Sequence, residues 1–489
     1  MSTAAPAPDP HPSSAPLAWR SAPDLVAALA AGEVLATDLV SALLERAAVI
    51  DEPAGALALN SLAAVDPAAM AVAAERDAEA RAGRVRGPLH GLPVVIKDNI
   101  EAVGLPGWAG SSALVGRPGR DAPLVARLRE AGAIVLASTN LSQWANIRSS
   151  SSTSGYSTTG GLVANPYARD RSAGGSSSGS GAAVAAGLAP LAVGTETDGS
   201  IVCPAALCGL VGIKPTVGSV PTARVVPISA SQDSPGPMGR SVADVRLGLA
   251  VLTGVAAVAS PAPRVAVAAT WRTGHGATDA LFDEVVAELG RERPLARRDV
   301  ALPGDAEGDD ELTVLLSELV DDLGAYLAER PGEGVRSLAE VVAWEDAHPV
   351  ELAHFGHDLF ERALATGGRA GSAYAPARRR NLDWAVATCL EPALADAEVL
   401  LAPAYGPAWK SDLVLGDRVL ASPATMPAAI AGWPIATVPL GLVAGLPVGA
   451  ALLGRPGSEW LLLEAAAWIE RIVGEAAPRR PTFAGPQRG

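Results

Sequence analysis

Cysteine, phenylalanine, tyrosine and histidine are scarce in this chain of 489 residues. The three cysteines, Cys203, Cys208 and Cys389, cannot form a framework of disulfides, and none of their spacings is the CxxC of a zinc site. There are four phenylalanines and five tyrosines, but ten tryptophans. Because 49% of the residues are hydrophobic, the chain can still build a large buried core.

Clusters of basic residues and long apolar segments are also missing. The formal net charge is −14, and the longest basic run is Arg378–Arg380, which argues against a nucleic-acid partner. No apolar run approaches the roughly 18–20 residues of a membrane span. Residues 1–19 are rich in Pro, Ala and Ser and lack the features of a signal peptide, so they are predicted to be a disordered tail. We expect a cytoplasmic protein, monomeric or homodimeric, with residues 20–489 as one domain.

Hydrophobic periodicity predicts an α/β fold. The apolar runs Val94–Ile96 and Ala133–Ala137 flank a helical pattern at Ala122–Ala131, and this order indicates a parallel or mixed sheet covered by helices. Six further strands are predicted at Leu191–Gly194, Leu210–Ile213, Arg264–Ala269, Glu398–Pro403, Pro434–Val438 and Pro447–Leu453. Residues 270–395 are helical and charged, and we interpret them as a covering region that determines substrate specificity.

A lysine at the end of an apolar strand and two glycine-rich turns carry the chemistry. The segment PVVIKDN (Pro93–Asn99) ends its apolar run on Lys97, and serines lie in the turns Gly174–Gly181 and Gly194–Ser200. A buried amine can act as a base when desolvation lowers its pKa from about 10.4 toward neutrality. Glycines allow several backbone N–H groups to approach a developing oxyanion. Together these features favour an enzyme that cleaves amides.

Each of these signals has another interpretation. The block Gly174–Gly181 has the composition of a flexible linker, although it lies between ordered-looking segments, and no Gly-Lys-Ser/Thr follows it as in a phosphate loop. Gly175–Gly179 also matches a nucleophile elbow with Ser177 as the nucleophile and His354 or His357 as its base, but no buried strand is predicted before it. Lys97 alone is equally typical of a strand-end lysine that reaches solvent or pairs with Asp98.

Four long segments together resemble the amidase signature family. They are GLPVVIKDNI (Gly91–Ile100), AGGSSSGSGAAVA (Ala173–Ala185), GTETDGSIVCPAALCGLVGIKPT (Gly194–Thr216) and DSPGPMGRSVAD (Asp233–Asp244). Residues 139–157 and 354–363 are most similar to the bacterial peptide-amidase branch of that family. The resemblance implies a large mixed β-sheet with helices on both faces.

The resemblance also implies a catalytic triad of Lys97, Ser176 and Ser200, with a cis peptide bond between Gly175 and Ser176. Ser200 is then the nucleophile, Ser176 the bridging serine and Lys97 the base, without a metal or cofactor. The residues expected to bind the oxyanion or the substrate are Thr197, Asp198, Gly199 and Ser150. Many relatives carry a glycine where this chain has Asp198.

Several functions are compatible with this site. The first is an amidase that acts on small, aryl or C-terminal peptide amides, and the same triad could hydrolyse carbamates or esters. The chain could alternatively belong to a tRNA-dependent amidotransferase complex as one of its subunits or, if the triad were inactive, be a binding module. The polar loop Ser138–Ser157, with Trp144 and Tyr156, and the covering region, with Phe355, are predicted to determine which substrate is accepted.

Overall fold

The structure is a computed structural model, and it describes residues 9–52, 55, 57–114, 116, 120–256, 258, 260–330, 334–476, 480, 481 and 483. These residues form both strands and helices. The strands are β1 (Leu62–Val65), β2 (Pro93–Lys97), β3 (Ile134–Thr139), β4 (Tyr156–Ser157), β5 (Gly161–Leu162), β6 (Ala164–Asn165), β7 (Ala168–Ser172), β8 (Leu191–Glu196), β9 (Val211–Lys214), β10 (Ser234–Gly239), β11 (Val265–Ala268), β12 (Ala296–Arg298), β13 (Val399–Pro403), β14 (Ile435–Val443) and β15 (Leu446–Leu453). The α-helices are α1 (Ala15–Ala18), α2 (Ala22–Ala31), α3 (Ala36–Ile50), α4 (Ala69–Arg81), α5 (Pro123–Glu130), α6 (Ser178–Ala185), α7 (Val202–Leu207), α8 (Val242–Thr253), α9 (Gly276–Glu292), α10 (Asp305–Glu329), α11 (Leu338–Ala347), α12 (Asp358–Thr366), α13 (Tyr374–Leu382), α14 (Glu391–Leu394), α15 (Thr425–Ala431) and α16 (Glu459–Val473). A π-helical segment, Asp383–Leu390, connects α13 to α14.

Eleven of the strands form one mixed sheet in the order β1-β3-β2-β8-β10-β9-β14-β15-β13-β11-β12. The neighbours β3, β2 and β8 are parallel, as are β13, β11 and β12, whereas the strands between these two groups pair antiparallel. Since β2 and β8 lie inside the sheet, every residue of both strands is buried. An apolar run without alternation is typical of such central strands.

Helices cover both faces of this sheet. Successive residues of one strand point to opposite faces, and Leu400 and Leu401 of β13, like Ile435 and Ala436 of β14, belong to two different hydrophobic cores. One core includes α7, and the other includes α9 and α16. The predicted α/β fold, a large mixed sheet covered by helices on both faces, is therefore confirmed.

The predicted polar loop Ser138–Ser157 and the residues that follow it, up to residue 172, contain regular structure. They form two small hairpins, in which β4 pairs with β5 and β6 pairs with β7. The strand β7 spans Ala168–Ser172, where no buried strand is predicted, but it pairs with β6 and not with the central sheet. The segment before the first glycine turn is thus a peripheral strand.

The covering region divides into two parts. The helix α9 packs on the central sheet through Phe282 and Leu289, and β12 is the edge strand of that sheet. Helices α10, α11 and α12 form a separate core, in which Leu319 and Leu323 of α10 pack with Trp144. Within residues 270–395, this separate core begins with α10 at Asp305.

The prediction of a disordered tail over residues 1–19 is wrong from Asp9 onward, and residues 1–8 lie outside the described part of the chain. The carboxylate of Asp9 accepts hydrogen bonds from Arg46 Nη1 and Trp19 Nε1, both at 2.5 Å. The guanidinium groups of Arg46, Arg240 and Arg480 lie 5.0, 5.7 and 5.3 Å from the centre of the Trp19 ring. These contacts attach the N-terminal segment to three distant parts of the chain.

In the described part of the chain, none of the helices has both the length and the apolar character needed to span a bilayer. The three cysteines are buried and carry free thiols.

Candidate active site

Two neighbouring parallel strands, β2 and β8, bring the predicted lysine and one predicted serine to the same edge of the sheet. Lys97 is the last residue of β2, and Ser200 lies in the turn that follows β8. The ladder between the strands pairs Ile96 with Val193, just before these two ends. Because the carboxyl ends of parallel strands share one edge of a sheet, this edge is the expected location of an active site.

The Lys97 side chain is completely buried and bonded to three oxygens. Its Nζ atom lies 2.7 Å from Ser176 Oγ, 2.8 Å from Thr195 Oγ1 and 3.2 Å from the Thr195 carbonyl oxygen. Asp98 does not pair with it, since the Asp98 carboxylate accepts the N–H groups of Gly107 and Trp108, both at 3.1 Å. The interpretation of Lys97 as a solvent-facing or Asp98-paired lysine is therefore wrong.

Burial gives Lys97 the electrostatics of a base. Desolvation lowers the Lys97 pKa from 10.5 to about 7, and the carboxylates of Asp233 and Glu196 limit this decrease. A neutral amine has two N–H donors and one lone pair, so two of the three oxygens accept from Nζ and one hydroxyl donates to it. Ser176 and Thr195 carry the hydroxyls that can donate. Lys97 can therefore hold its lone pair toward Ser176.

The backbone holds the two glycine turns side by side. The N–H of Ser177 donates to the carbonyl oxygen of Ser200 at 3.2 Å. The Ser177 hydroxyl donates to the Thr195 carbonyl oxygen at 3.1 Å and accepts the Thr195 N–H at 3.2 Å. These bonds place Ser176 next to the turn of Ser200. Ser177 itself is fully buried and engaged in this way, so it does not have the exposed hydroxyl of a nucleophile elbow.

The peptide bond between Gly175 and Ser176 is cis, as the family resemblance implies. Ser176 is 1% exposed, and its carbonyl oxygen accepts the N–H of Ser142 at 3.1 Å. A side chain at Gly175 would overlap Ser142 Oγ and approach Ser154 to 3.0 Å. The close approach of these two serines therefore requires glycine at position 175.

The turn Thr197–Ser200 presents its backbone N–H groups without internal partners. None of these four N–H groups donates a hydrogen bond to another residue that the structure describes. The next two N–H groups, of Ile201 and Val202, instead donate to Glu196 Oε2 at 2.6 and 2.8 Å. The carboxylate thus occupies the donors at the start of α7 and leaves those of the turn available to an oxyanion.

The residues of this turn are closely surrounded by other side chains. Gly199 has a φ of +77°, and a Cβ atom there would lie 2.5 Å from the Tyr405 hydroxyl oxygen. Thr197 Oγ1 donates to Asp233 Oδ1 at 2.6 Å. Asp198 Oδ1 is buried and has no hydrogen-bond partner among the described residues, and burial raises the Asp198 pKa. Asp198 therefore adds a buried carboxyl group next to the nucleophile position.

Ser150 does not join the residues of the triad. It is exposed, and its N–H donates to Asp358 Oδ1 of α12 at 3.1 Å, so its described contacts belong to the covering layer. In the same layer the ring of Tyr156 lies 5.6 Å from that of Phe355. Trp144 is 3% exposed and packs in the core of the cover. Whether these aromatic residues select the substrate stays a prediction.

Asn99 and Thr195 contribute to the site, although the residue patterns did not single them out. Thr195 Oγ1 lies within hydrogen-bond distance of Lys97 Nζ and also accepts from Asn99 Nδ2 at 3.0 Å. Both residues line a cavity of about 300 Å³, together with Thr197 and Asp233. Asn99 lies two residues after Lys97 and Thr195 five residues before Ser200. Their positions inside these two motifs were the signal in the sequence that could have identified them as site residues.

The arrangement combines a buried amine of lowered pKa, a serine hydroxyl bonded to it, and a second serine in a turn with free N–H donors. Such a set can activate a hydroxyl, stabilise an oxyanion and form an acyl group on a serine. Among the described residues, no group of three or more His, Cys, Asp or Glu side chains is placed to hold a metal ion.

Comparison with known families supports this chemistry. The model of the Amidase family matches residues 38–463. The chain belongs to this family. It is therefore an enzyme that hydrolyses amide bonds, as the sequence motifs predict.

This amidase is similar both to proteins described as amidases and to an amidotransferase subunit. The native peptide amidase from Stenotrophomonas maltophilia is 39% identical, with a TM-score of 0.88 over 95% of this chain and 99% of that one. A glutamyl-tRNA(Gln) amidotransferase subunit from Chloroflexus aurantiacus is 33% identical over 91% of this chain and 95% of its own length. A putative amidase from Arthroderma benhamiae is 44% identical over 46% of this chain, but the match spans 37% of that protein's length.

Proposed function

We propose that this amidase cleaves the terminal carboxamide of peptide amides through a triad of Ser200, Ser176 and Lys97 and an acyl-enzyme. The observation that carries the proposal is the 2.7 Å contact between Lys97 Nζ and Ser176 Oγ. The amine is completely buried, and Ser176 lies beside the turn of Ser200. A lysine of ordinary pKa could not accept a proton at neutral pH, but one with a pKa of about 7 can.

The reaction begins with a proton relay. Neutral Lys97 accepts the proton of the Ser176 hydroxyl, and Ser176 takes the proton of Ser200 as the Ser200 Oγ atom attacks the amide carbon. The N–H groups of Thr197–Ser200 stabilise the negative charge that develops on the carbonyl oxygen. Removal of one such donor typically costs about 2.7–4 kcal/mol of transition-state stabilisation.

The second half of the reaction releases the two products. Ser176 donates its proton to the nitrogen of the leaving group, the C–N bond breaks, and ammonia leaves. Lys97 returns a proton to Ser176. Water then attacks the ester carbon of acyl-Ser200, with the same relay acting as the base, and the free acid is released.

The choice of peptide amides rests on the similarity to the peptide amidase from Stenotrophomonas maltophilia, which extends over nearly the whole of both chains. In this proposal, aromatic side chains of the covering region and of the polar loop form one wall of the substrate site. Tyr156 lies 4.7 Å from the ring of His354 and 5.6 Å from that of Phe355, and the Arg148 guanidinium lies 4.6 Å from the Phe355 ring. Such a wall can hold the apolar side chains and peptide groups of a substrate.

The test compares one serine from each of the two glycine-rich turns. Ser200→Ala should lose more than about 99% of kcat/KM for release of ammonia from a dipeptide amide, because the nucleophile is lost with little change in packing. Ser180→Ala is the matched control, since Ser180 is also buried but bonds to Thr139 Oγ1 at 2.7 Å, away from the relay. A hydroxylamine trap should yield a hydroxamate from the wild type. Full activity of Ser200→Ala would refute the assignment.

A second candidate function is to serve in an amidotransferase complex, because the chain is 33% identical over 91% of its length to the amidotransferase protein from Chloroflexus aurantiacus. The two functions differ in what the purified chain does alone. An amidase should hydrolyse peptide amides without partner proteins. Activity toward glutamine that appears only with the other proteins of an amidotransferase would favour the second function.

A further inference from the structure

Asp233 is a partly buried residue whose carboxylate lies between the turn of Ser200 and the loop that precedes β10. Its Oδ1 atom accepts the Thr197 hydroxyl at 2.6 Å, and its Oδ2 atom accepts the N–H groups of Ile228 and Ser229 at 2.8 and 3.0 Å. Both oxygens are thus used, and they connect two separate segments. In the sequence Asp233 opens one of the four family-like segments, but no role is predicted for it there.

The sheet fixes the position of this carboxylate. Strand β10 begins at Ser234, which pairs with Glu196 at the end of β8. Asp233 and Thr197 are the next residues on each strand, so the antiparallel ladder brings them together at the edge where the reaction occurs. Because Thr197 also supplies one of the proposed oxyanion donors, its hydroxyl bond to Asp233 restrains the direction of that N–H group.

Asp233 has no cationic partner of its own. Among the described residues, no Lys, Arg or His lies within 4.0 Å of its carboxylate. The cavity that Asp233 lines also carries Glu101, Arg224, Asp322, Glu329 and Arg330, and the charge of Asp322 raises the Asp233 pKa. Asp233 and Glu196 both favour the protonated form of Lys97 and so raise its pKa, and Asp233 has the larger effect of the two.

We infer that Asp233 is a positioning residue of the proposed reaction, which holds the oxyanion turn through Thr197 and sets the proton affinity of the base Lys97. This inference rests on the proposed function, in which Lys97 is the base. It assigns a role to a partly buried carboxylate whose described hydrogen bonds go to Thr197, Ile228 and Ser229 and not to the triad.

The charge states of the two groups are consistent with this role. Burial raises the Asp233 pKa to about 6, and burial lowers the Lys97 pKa to about 7. Above pH 6 the ionised carboxylate favours the protonated form of Lys97, and it therefore raises the pKa of the amine. Without the negative charge of Asp233, the Lys97 pKa would fall below neutral pH. Lys97 would then be a weaker base, which is unfavourable for proton transfer.

The test is Asp233→Asn, which keeps the shape of the side chain and removes its charge. The acid limb of the kcat/KM profile should move to lower pH by at least about 0.5, and kcat should fall by about tenfold because the turn is less well held. Asp244→Asn is the matched control. Asp244 is more deeply buried than Asp233 and accepts the N–H groups of Ala22 and Ser241 at 2.6 and 2.9 Å, but it lies at the start of α8. Its variant should lose stability without moving the acid limb.

Two further results separate the possible failures. If Asp233→Asn keeps the wild-type acid limb while Ser200→Ala and Lys97→Met are inactive, the role of Asp233 is wrong and the proposed function stands. If Ser200→Ala or Lys97→Met keeps its activity, the proposed function itself fails. Should Asp233→Asn not fold, Thr197→Val and Thr197→Ser provide the test. Thr197→Val should lose about tenfold in kcat and Thr197→Ser should restore it, and equal activities would overturn the inference.

Discussion

Acidification should remove the neutral form of Lys97, and with it the activity, in a pH range that is determined by burial of this amine. The sign follows from its role. Lys97 must be neutral to accept a proton from Ser176, and a pKa of about 7 means that it becomes protonated as the pH falls through 7. We therefore expect kcat/KM to fall on the acid side, approaching a tenfold decrease per pH unit below about pH 6.

The magnitude can be worked out from the pKa. At pH 7 about half of the Lys97 amines are neutral, whereas a lysine with the ordinary pKa of 10.5 would be neutral in about one molecule in 3,000. At pH 5 the neutral fraction is about 1%. Burial thus increases the amount of active base at neutral pH by roughly three orders of magnitude, and the acid limb should fall by about fiftyfold between pH 7 and pH 5.

Folding stability provides a check on the variant Lys97→Met. The Lys97 pKa is lower in the folded than in the unfolded state, so its proton must be released on folding, and this opposes folding at every pH below about 10. At pH 7 the cost is about 4 kcal/mol, against about 0.5–1.5 kcal/mol for each of three lost hydrogen bonds. The inactive variant should therefore melt at no lower a temperature than the wild type.

The assay measures ammonia release from a dipeptide amide between pH 5 and 9, with circular dichroism at each pH to show that the protein stays folded. Lys410→Met is the control, because it also replaces a lysine with methionine but Lys410 is exposed. That variant should keep the position of the acid limb. A profile of the folded wild type that is flat down to pH 5 would refute Lys97 as the base.

Three further predictions concern the surroundings of the relay. Gly175→Ala should reduce kcat/KM by at least tenfold and destabilise the fold by about 1–3 kcal/mol through overpacking, whereas Gly276→Ala, where the new Cβ meets nothing within 4 Å, should do neither; equal melting temperatures and activities of the two variants would contradict this. Thr195→Val removes one oxygen that holds Lys97 and should lower kcat more than it raises KM, which steady-state kinetics will separate. Phe355→Ala should change the relative kcat/KM among peptide amides by about 1–3 kcal/mol, and a uniform loss with a lower melting temperature would show that Phe355 only packs.

The central strands could be predicted from the sequence because burial on both faces leaves an unmistakable pattern. The runs at β2, β3 and β8 are apolar without alternation, and each was predicted within two or three residues of its ends. Strand β10 was missed for the opposite reason. Its sequence, SPGPMG, contains two prolines and two glycines, and this local composition indicates a turn. It is a strand because it pairs with β8 and β9, which are distant in sequence.

The triad residues were predicted from motifs, but the supporting roles of other residues in the same motifs, such as Asn99, Thr195 and Asp233, were not. The resemblance singled out Lys97 and the two serines, and the structure brings these segments together. Ser150 was also expected to bind the oxyanion or the substrate, but its N–H donates to Asp358 of α12. The partner of Thr197 could not be foreseen either, because 36 residues separate it from Asp233 and only the register of β8 against β10 joins them.

The way in which Ser177 is bonded has a consequence for motion at the reaction centre. The Ser177 hydroxyl makes two hydrogen bonds to the backbone of Thr195, two residues beyond the last pair of the ladder between β8 and β2. These two bonds extend the backbone pairing of β8 past the end of that ladder. Because the N–H of Ser177 also donates to the Ser200 carbonyl oxygen, we expect the thermal displacements of the two serine segments to be correlated. Proton transfer depends on the distance between donor and acceptor and not on where both are in the molecule. The edge of the sheet can therefore fluctuate as a whole without changing the separation on which the rate depends.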